Sequence, residues 1–272
     1  MVAEAAPVPG LHIVRERHAG GDVLRLALVG RTALNVVGTT ALRHASEALR
    51  ELAADDTVRC AVLRGATPRA FIGGADLKEL GALTPATAEA FIRGIHDVCA
   101  ALRDFPAPVI ACIEGYCIGG GLEIAAACDF RIARSDGQFG MPEVRVGVPS
   151  VIEAALLPGL IGWGRTRELL LRGHLIDGHE AWRIGLVEHA VEAAVLETTL
   201  RAAVDDILAG APAALRAQKR LIRRWEESGM TAAIEAGVDA FVAAYRTPEP
   251  ADYTARFFAA RARANAGGTH GE

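Results

Sequence analysis

PVIACIEGYCIGGGLEIAAACD, residues 108–129, is the stretch on which the reading of the whole chain turns. Val109 to Ile113 is an apolar, strand-like run that stops at Gly115. Gly119, Gly120 and Gly121 follow, and an alanine-rich run carrying Glu123 begins at once, with the composition of a helix start. Glycines let the backbone approach a ligand closely, and the free amides of a helix N-terminus favour negative charge. The turn therefore suits an oxyanion or a phosphate, and nothing inside it decides between them.

The chain has 272 residues, 51% of them hydrophobic, enough for one large domain or a domain with an appended helical segment. A formal net charge of -4 and a pI near 6.1 give no overall basic field of the kind that drives nucleic-acid binding. Small molecules or protein partners are the expected ligands. No apolar run reaches the ~18 residues of a membrane span, and MVAEAAPVPG lacks the pattern of a signal peptide. The expectation is a cytoplasmic protein with a loose Ala/Pro-rich start over residues 1–10. Cys60, Cys99, Cys112, Cys117 and Cys128 form no CxxC pair and fit reduced thiols packed as small hydrophobes. For Cys117, beside the glycines, a nucleophile is the alternative.

Outward from the central stretch, strands alternate with helices. Leu11–Val14 and Val23–Val29 flank the turn signal His18-Ala-Gly-Gly-Asp22 and read as a hairpin. Leu42, Ala45, Leu49 and Leu52 recur at helical spacing, and Cys60–Leu63 is a short buried strand. FIGGADLK (71–78) repeats the logic of the opening stretch, with paired glycines before Ala75-Asp76, and is a second candidate donor of backbone amides. Thr84-Pro85 starts a helix to about Arg103 that carries Phe91, Ile95, Val98 and Leu102 on one face. Phe130–Ala133 reads as a strand, Gln138–Glu143 as an ordered loop, and the chain beyond Gly164 as almost wholly helical.

Several chemistries lose their key residues. Counted from Gly119, the sixth position of GxGxxG is Ile124, so no dinucleotide fingerprint exists. GxSxG and GxxxxGK[ST] are absent, and His179-Glu180-Ala-Trp-Arg183 has arginine where HExxH needs histidine. His174 and His179 have no metal-ligand spacing, and no metal is expected. Two glutamates remain, Glu123 after the glycines and Glu143 in the loop after Phe139-Gly-Met-Pro, and two carboxylates can divide base and acid roles. The helix dipole should hold Glu123 ionised, whereas Phe139, Met141 and Val144 around Glu143 should keep it partly protonated.

FIGGADLKEL (71–80), GYCIGGGLEIAAACDFRIA (115–133), FGMPEVRVGVP (139–149) and GHLIDGHEAWRIGLV (173–187) together resemble the enoyl-CoA hydratase/isomerase (crotonase) family, over roughly residues 11–262. The resemblance implies an α/β fold, a crotonase-like spiral of repeated ββα units over 11–200 that holds the site. A C-terminal helical trimerisation region, 201–265, would follow, giving homotrimers or dimers of trimers. It implies that the Ala75 and Gly120 amides form an oxyanion hole for a thioester enolate. Glu123 would then deprotonate water, and Glu143 would protonate the α-carbon. Having both glutamates points to a hydratase acting on a 2-enoyl-CoA. An isomerase or other CoA-enolate enzyme is the alternative, and a non-catalytic CoA- or RNA-binding relative is a third. Coenzyme A enters as part of the substrate, not as a cofactor. By resemblance it lies along Thr32, Leu34, Gly73, Asp76, Leu77 and Lys78, with Arg261 substituting for a neighbouring subunit's lysine.

The early turn, Gly30-Arg-Thr-Ala33, departs from the family's Arg-Pro pair. After Gly147 the family's glycine-rich, water-holding loop is replaced by VPSVIEAALL (148–157). Ser150-x-x-Glu153 reads as a capping box, with Glu153 as a third active-site carboxylate the alternative. Arg216, Lys219, Arg220, Arg223 and Arg224 form a basic stripe that reads as a solvated face, since Glu226 and Glu227 dilute it.

Overall fold

The computed structural model describes residues 10–267, with side chains described through Arg263. The expected loose start over 1–10 lies almost wholly outside the described residues. The chain divides into two compact units, one through Asp206 and one from Ile207 onward.

In the first unit the order is β1 (Gly10–His18), β2 (Gly21–Val29), α1 (Thr39–Leu52), β3 (Val58–Gly65), β4 (Ala70–Ile72), α2 (Leu77–Gly81) and α3 (Pro85–Arg103). It continues with β5 (Val109–Ile113), β6 (Tyr116–Ile118), α4 (Gly120–Ala126), β7 (Phe130–Arg134), β8 (Gln138–Gly140) and α5 (Leu157–Arg172). Then come β9 (Leu175–Asp177), α6 (Gly178–Arg183), β10 (His189–Val191) and α7 (Leu196–Ala209), which carries the chain across the boundary. The second unit is α8 (Pro212–Glu227), α9 (Met230–Ala244) and α10 (Glu249–Gly267).

Two sheets organise the first unit. The larger runs β1-β2-β3-β5-β7-β10 and the smaller β4-β6-β8-β9. The consecutive strand pairs β3/β4, β5/β6 and β7/β8 each give one strand to the large sheet and the next to the small one. Neighbours from successive pairs are parallel in both sheets. A chain that repeats this step advances as a spiral, which is the crotonase fold. Short apolar runs such as VIACI of β5 are buried on both faces, as parallel strands covered on both sides must be. α1 and α3 pack together over the large sheet through Leu42, Leu49, Phe91, Val98 and Leu102, all in the core.

The structure corrects two local expectations. Gln138–Gly140 is a strand, not a loop, because it pairs in parallel with Tyr116–Ile118 of β6, itself too short to show periodicity. Ser150 and Glu153 form no capping box: the cap of the 3-10 turn Ile152–Leu156 is Val151, with no side-chain cap bond, and Ser150 Oγ donates instead to Glu143 Oε2 at 2.8 Å.

Asn35 fixes the 30–36 turn. Asn35 is 2% exposed, its Oδ1 accepts from Gly30 N at 2.6 Å, and its Nδ2 donates to Leu28 O at 2.9 Å and Phe71 O at 2.6 Å. It sits at φ 52°, a conformation asparagine tolerates better than most residues. Asn35→Ala leaves these buried groups without partners and is expected to cost about 3 kcal/mol, read as a lower urea midpoint at unchanged slope.

Candidate active site

The three parallel strands of the small sheet, β4, β6 and β8, aim three chain segments at one place. Ala75 follows the C-terminal end of β4, Gly120 that of β6 and Glu143 that of β8. A cavity of ≈ 660 Å³ lies there, lined by Ala75, Gly120, Glu123 and Glu143 together. Among the described residues neither the Ala75 nor the Gly120 amide donates a hydrogen bond. Val37 N donates to Gly74 O and Asp76 N to Val37 O, so the bridge at Ala75 skips its own N–H. Gly120 is the first residue of α4, where the N–H has no intrahelical acceptor. Two residues with unspent amide donors thus line the same cavity as both carboxyl groups.

The glycines are required by close approach. Gly119 has φ 55°, and a Cβ there would stand 2.3 Å from Glu143 Oε1; at Gly121 it would stand 2.4 Å from Ile72 O. A side chain at Gly121 would push α4 away from β4, and one at Gly119 would displace the Glu143 carboxyl group and adopt a strained positive φ. At its other end α4 is held by buried Arg131, whose Nη1 donates to Cys128 O at 3.2 Å and to Ala125 and Ala126 O at 3.4 Å.

Glu123 is 4% exposed, and its Oε1 accepts from Ala154 N at 3.0 Å. Burial pushes its carboxyl up to about 8; the Ala154 bond opposes the shift, and Glu143 and Glu153 add to it. The expectation that the helix dipole keeps Glu123 ionised is therefore overturned: α4 has only seven residues, and desolvation outweighs its field. Burial also raises Glu143, against the stabilising bond from Ser150. Glu153 is buried with Oε1 2.8 Å from His96 Nδ1, a partner that no sequence motif marked. Cys117 is buried, its Sγ contacts Gly121 O at 3.5 Å, and burial raises its thiol, which favours the packing role over the nucleophilic one.

Among the expected coenzyme A contacts, Leu34, Gly73 and Leu77 line the cavity. Asp76 is spent as the N-cap of α2, accepting from Lys78 N at 2.9 Å, with Arg31 Nη1 3.4 Å away. Thr32 is exposed on the 30–36 turn and Lys78 on the first turn of α2, and Thr32 Oγ1 accepts from Leu34 N at 3.3 Å. In the second unit, Arg261 is exposed on α10, Lys219 is buried, and Arg223 Nε lies 3.2 Å from Glu227. A cavity of ≈ 650 Å³ between α8, α9 and α10 contains none of the expected site residues. No helix among the described residues is long and apolar enough to cross a membrane.

Two residues with unspent backbone donors and two carboxyl groups line one cavity, an arrangement with the parts that stabilising a developing oxyanion while moving protons requires. Comparison with known proteins identifies the family. Residues 18–256 match the enoyl-CoA hydratase/isomerase family, and the chain belongs to it. It is 32% identical to the short-chain-enoyl-CoA hydratase of Clostridium acetobutylicum, over 89% of this chain and 93% of that protein. Among solved structures, an enoyl-CoA hydratase/carnitine racemase from Magnetospirillum magneticum superposes with a TM-score of 0.85 at 31% identity, over 93% of this chain and 94% of that one. An enoyl-CoA hydratase from Bacillus anthracis gives 0.84 at 28% identity, over 90% and 95%.

A carboxyl raised from 4.5 to about 8 by folding contributes stability that is complete below its unfolded value and lost as pH rises through about 8. Glu123→Gln keeps the Ala154 acceptor without the charge. It is expected to be more stable than the parent at pH 9, by about 3 kcal/mol, with a correspondingly higher unfolding temperature, and to match it at pH 5, measured by calorimetry at both pH values.

Proposed function

We propose that this chain is an enoyl-CoA hydratase, adding water reversibly across the double bond of a 2-enoyl-CoA thioester. The observation that carries the reading is the convergence of the unspent Ala75 and Gly120 amides with Glu123 and Glu143 on one cavity. The thioester oxygen accepts from both amides, which draws electron density from C3. Glu123 takes a proton from water as its oxygen bonds to C3, and Glu143 gives a proton to C2 as the enolate collapses to the thioester. Donors aimed at such an oxyanion are commonly worth on the order of 10²-fold each.

The pair must hold one proton for either direction to run. With Glu123 raised to about 8, that proton is lost as pH passes through about 8, and a second is gained at lower pH. The cavity is lined mostly by apolar side chains, Leu80, Leu83, Phe91, Ile92, Ile95 and Val148 among them, with Glu89 and Arg145 also on it, which favours an aliphatic or aromatic acyl group. Coenzyme A on the Leu34, Gly73 and Leu77 side is part of the same proposal, as is assembly into trimers or dimers of trimers.

One observation favours an isomerase as the second reading. Glu123 is tied to Ala154 and is mostly protonated at neutral pH, which leaves Glu143 as the freer of the two carboxyl groups. A one-carboxylate reaction would move a double bond without water.

Incubation with crotonyl-CoA and with branched and aromatic 2-enoyl-CoAs is expected to bleach the ultraviolet absorbance of the conjugated thioester. The product gains one water by mass spectrometry, and kcat/KM falls above pH 8. An unchanged absorbance across the panel would reject hydration. Conversion of a 3-enoyl-CoA to its 2-isomer at constant mass, retained in Glu123→Gln, would establish the isomerase instead.

A further inference from the structure

Behind Glu123, the segment that replaces the family's glycine-rich loop has three features that meet at one carboxylate. Ile152, a β-branched residue, sits at φ 41°, in the left-handed region that such residues adopt only under constraint. Glu153 has a side chain only 9% exposed; His96 Nδ1 is 2.8 Å from its Oε1, and its Oε2 has no hydrogen-bond partner among the described residues. The next residue, Ala154, gives its amide to Glu123 Oε1 at 3.0 Å. A strained turn and a half-satisfied buried carboxylate both oppose folding when taken alone. What the arrangement delivers is a fixed orientation of Glu123 and a second negative charge beside it. Glu123 Oε2 is left on the Gly120 side, 3.9 Å from where a Cβ at Gly120 would stand.

His96 connects this interior to solvent. Its side chain is 47% exposed, and with Glu89, Ile92, Arg93, Ile152 and Glu153 it lines a separate cavity of ≈ 400 Å³. Glu89 and Ile92 line the main cavity as well, so α3 stands between the two.

We propose that Glu153, anchored by His96, is a positioning residue for Glu123. The His96–Glu153 bond holds the 151–154 turn so that the Ala154 amide fixes one oxygen of Glu123, and the Glu153 charge raises the proton affinity of Glu123 as the base that takes a proton from water. The inference rests on Glu123 being an acid–base group of the reaction proposed above. Groups that bear on Glu123 come from several elements. Glu143 and Glu153 raise it from the turns after β8 and before α5, and the buried thiols Cys99, on α3, and Cys128, just past α4, lie in the same cluster. Arg93, His96 and Glu89 stand at the outer cavity and Arg145 at the main one. On α5, Arg165 and Arg172 are exposed and paired with Glu168, and Arg167 is exposed. Of these, Glu153 is the group that both holds the Ala154 turn and carries like charge.

The test uses the full chain with Glu153→Gln, His96→Ala and His96→Asn, the last because its amide nitrogen can stand where Nδ1 stood. Turnover and KM on the best enoyl-CoA, the pH profile, the unfolding temperature and the carboxyl ¹³C titration of Glu123, assigned by its loss in Glu123→Gln, are measured for each. Glu153→Gln is expected to lower kcat by ~10-fold or more, to leave KM within about twofold, and to move the alkaline limb to lower pH. His96→Ala is expected to lower kcat comparably and His96→Asn to recover most of it. Parental kcat and alkaline limb in both Glu153→Gln and His96→Ala overturn the proposal. So does His96→Asn as impaired as His96→Ala with losses that follow only a lower unfolding temperature. Should Glu153→Gln not fold, the two His96 variants carry the comparison. If the parent turns over no enoyl-CoA, the titration still decides. A Glu123 midpoint lowered in Glu153→Gln supports the positioning role while the hydratase reading alone fails, and an unchanged midpoint rejects the positioning role.

Discussion

The parallel register of β4, β6 and β8 is the constraint on which the site depends. Ile72 pairs with Cys117, Cys117 with Phe139, and Ile118 with Gly140, so all three strands end at the same edge. Each strand has only three residues, and none would be stable alone. Their order is imposed by the large sheet, in which β3, β5 and β7 lie in the same sequence. Ala75, Gly120 and Glu143 therefore reach one cavity from positions far apart in the chain. A slip of one residue in the small sheet would turn side chains to the opposite face and carry the amides out of line.

Burial then sets the chemistry. A carboxyl group on the first turns of a helix is usually stabilised as an anion, yet Glu123 is enclosed so thoroughly that the neutral form gains. The neighbouring charges of Glu143 and Glu153 act in the same direction, and the single Ala154 amide does not offset them. The cavity around these groups is mostly aliphatic, which strengthens every polar interaction that remains inside it. Ser150 acts on Glu143 as Ala154 acts on Glu123, donating a hydrogen bond that favours the ionised carboxylate against burial.

Rigidity at the site comes from groups that do no chemistry. Asn35 ties the 30–36 turn to β2 and β4, Arg131 collects the carbonyls at the end of α4, and Asp76 caps α2 next to Ala75. Each is a buried polar side chain held by hydrogen bonds, Arg131 through Nη1 and Nη2, and each replaces side-chain freedom near the cavity with a fixed geometry.

The sequence by itself determined the alternation of strands and helices and the two glycine-bearing turns. It also determined the identity of Glu123 and Glu143, because apolar periodicity and glycine placement are local properties of the chain. It marked the segment after Gly147 as unusual without saying what that segment does. The strands β6 and β8, the loss of the Ser150–Glu153 capping box, the His96–Glu153 bond and the neutral bias of Glu123 were decided only by tertiary structure. The reason is that three-residue strands owe their existence to partners. The proton affinity of a carboxyl group likewise depends on what surrounds it in space, and residues 96, 123, 143 and 153 become neighbours only when the spiral closes.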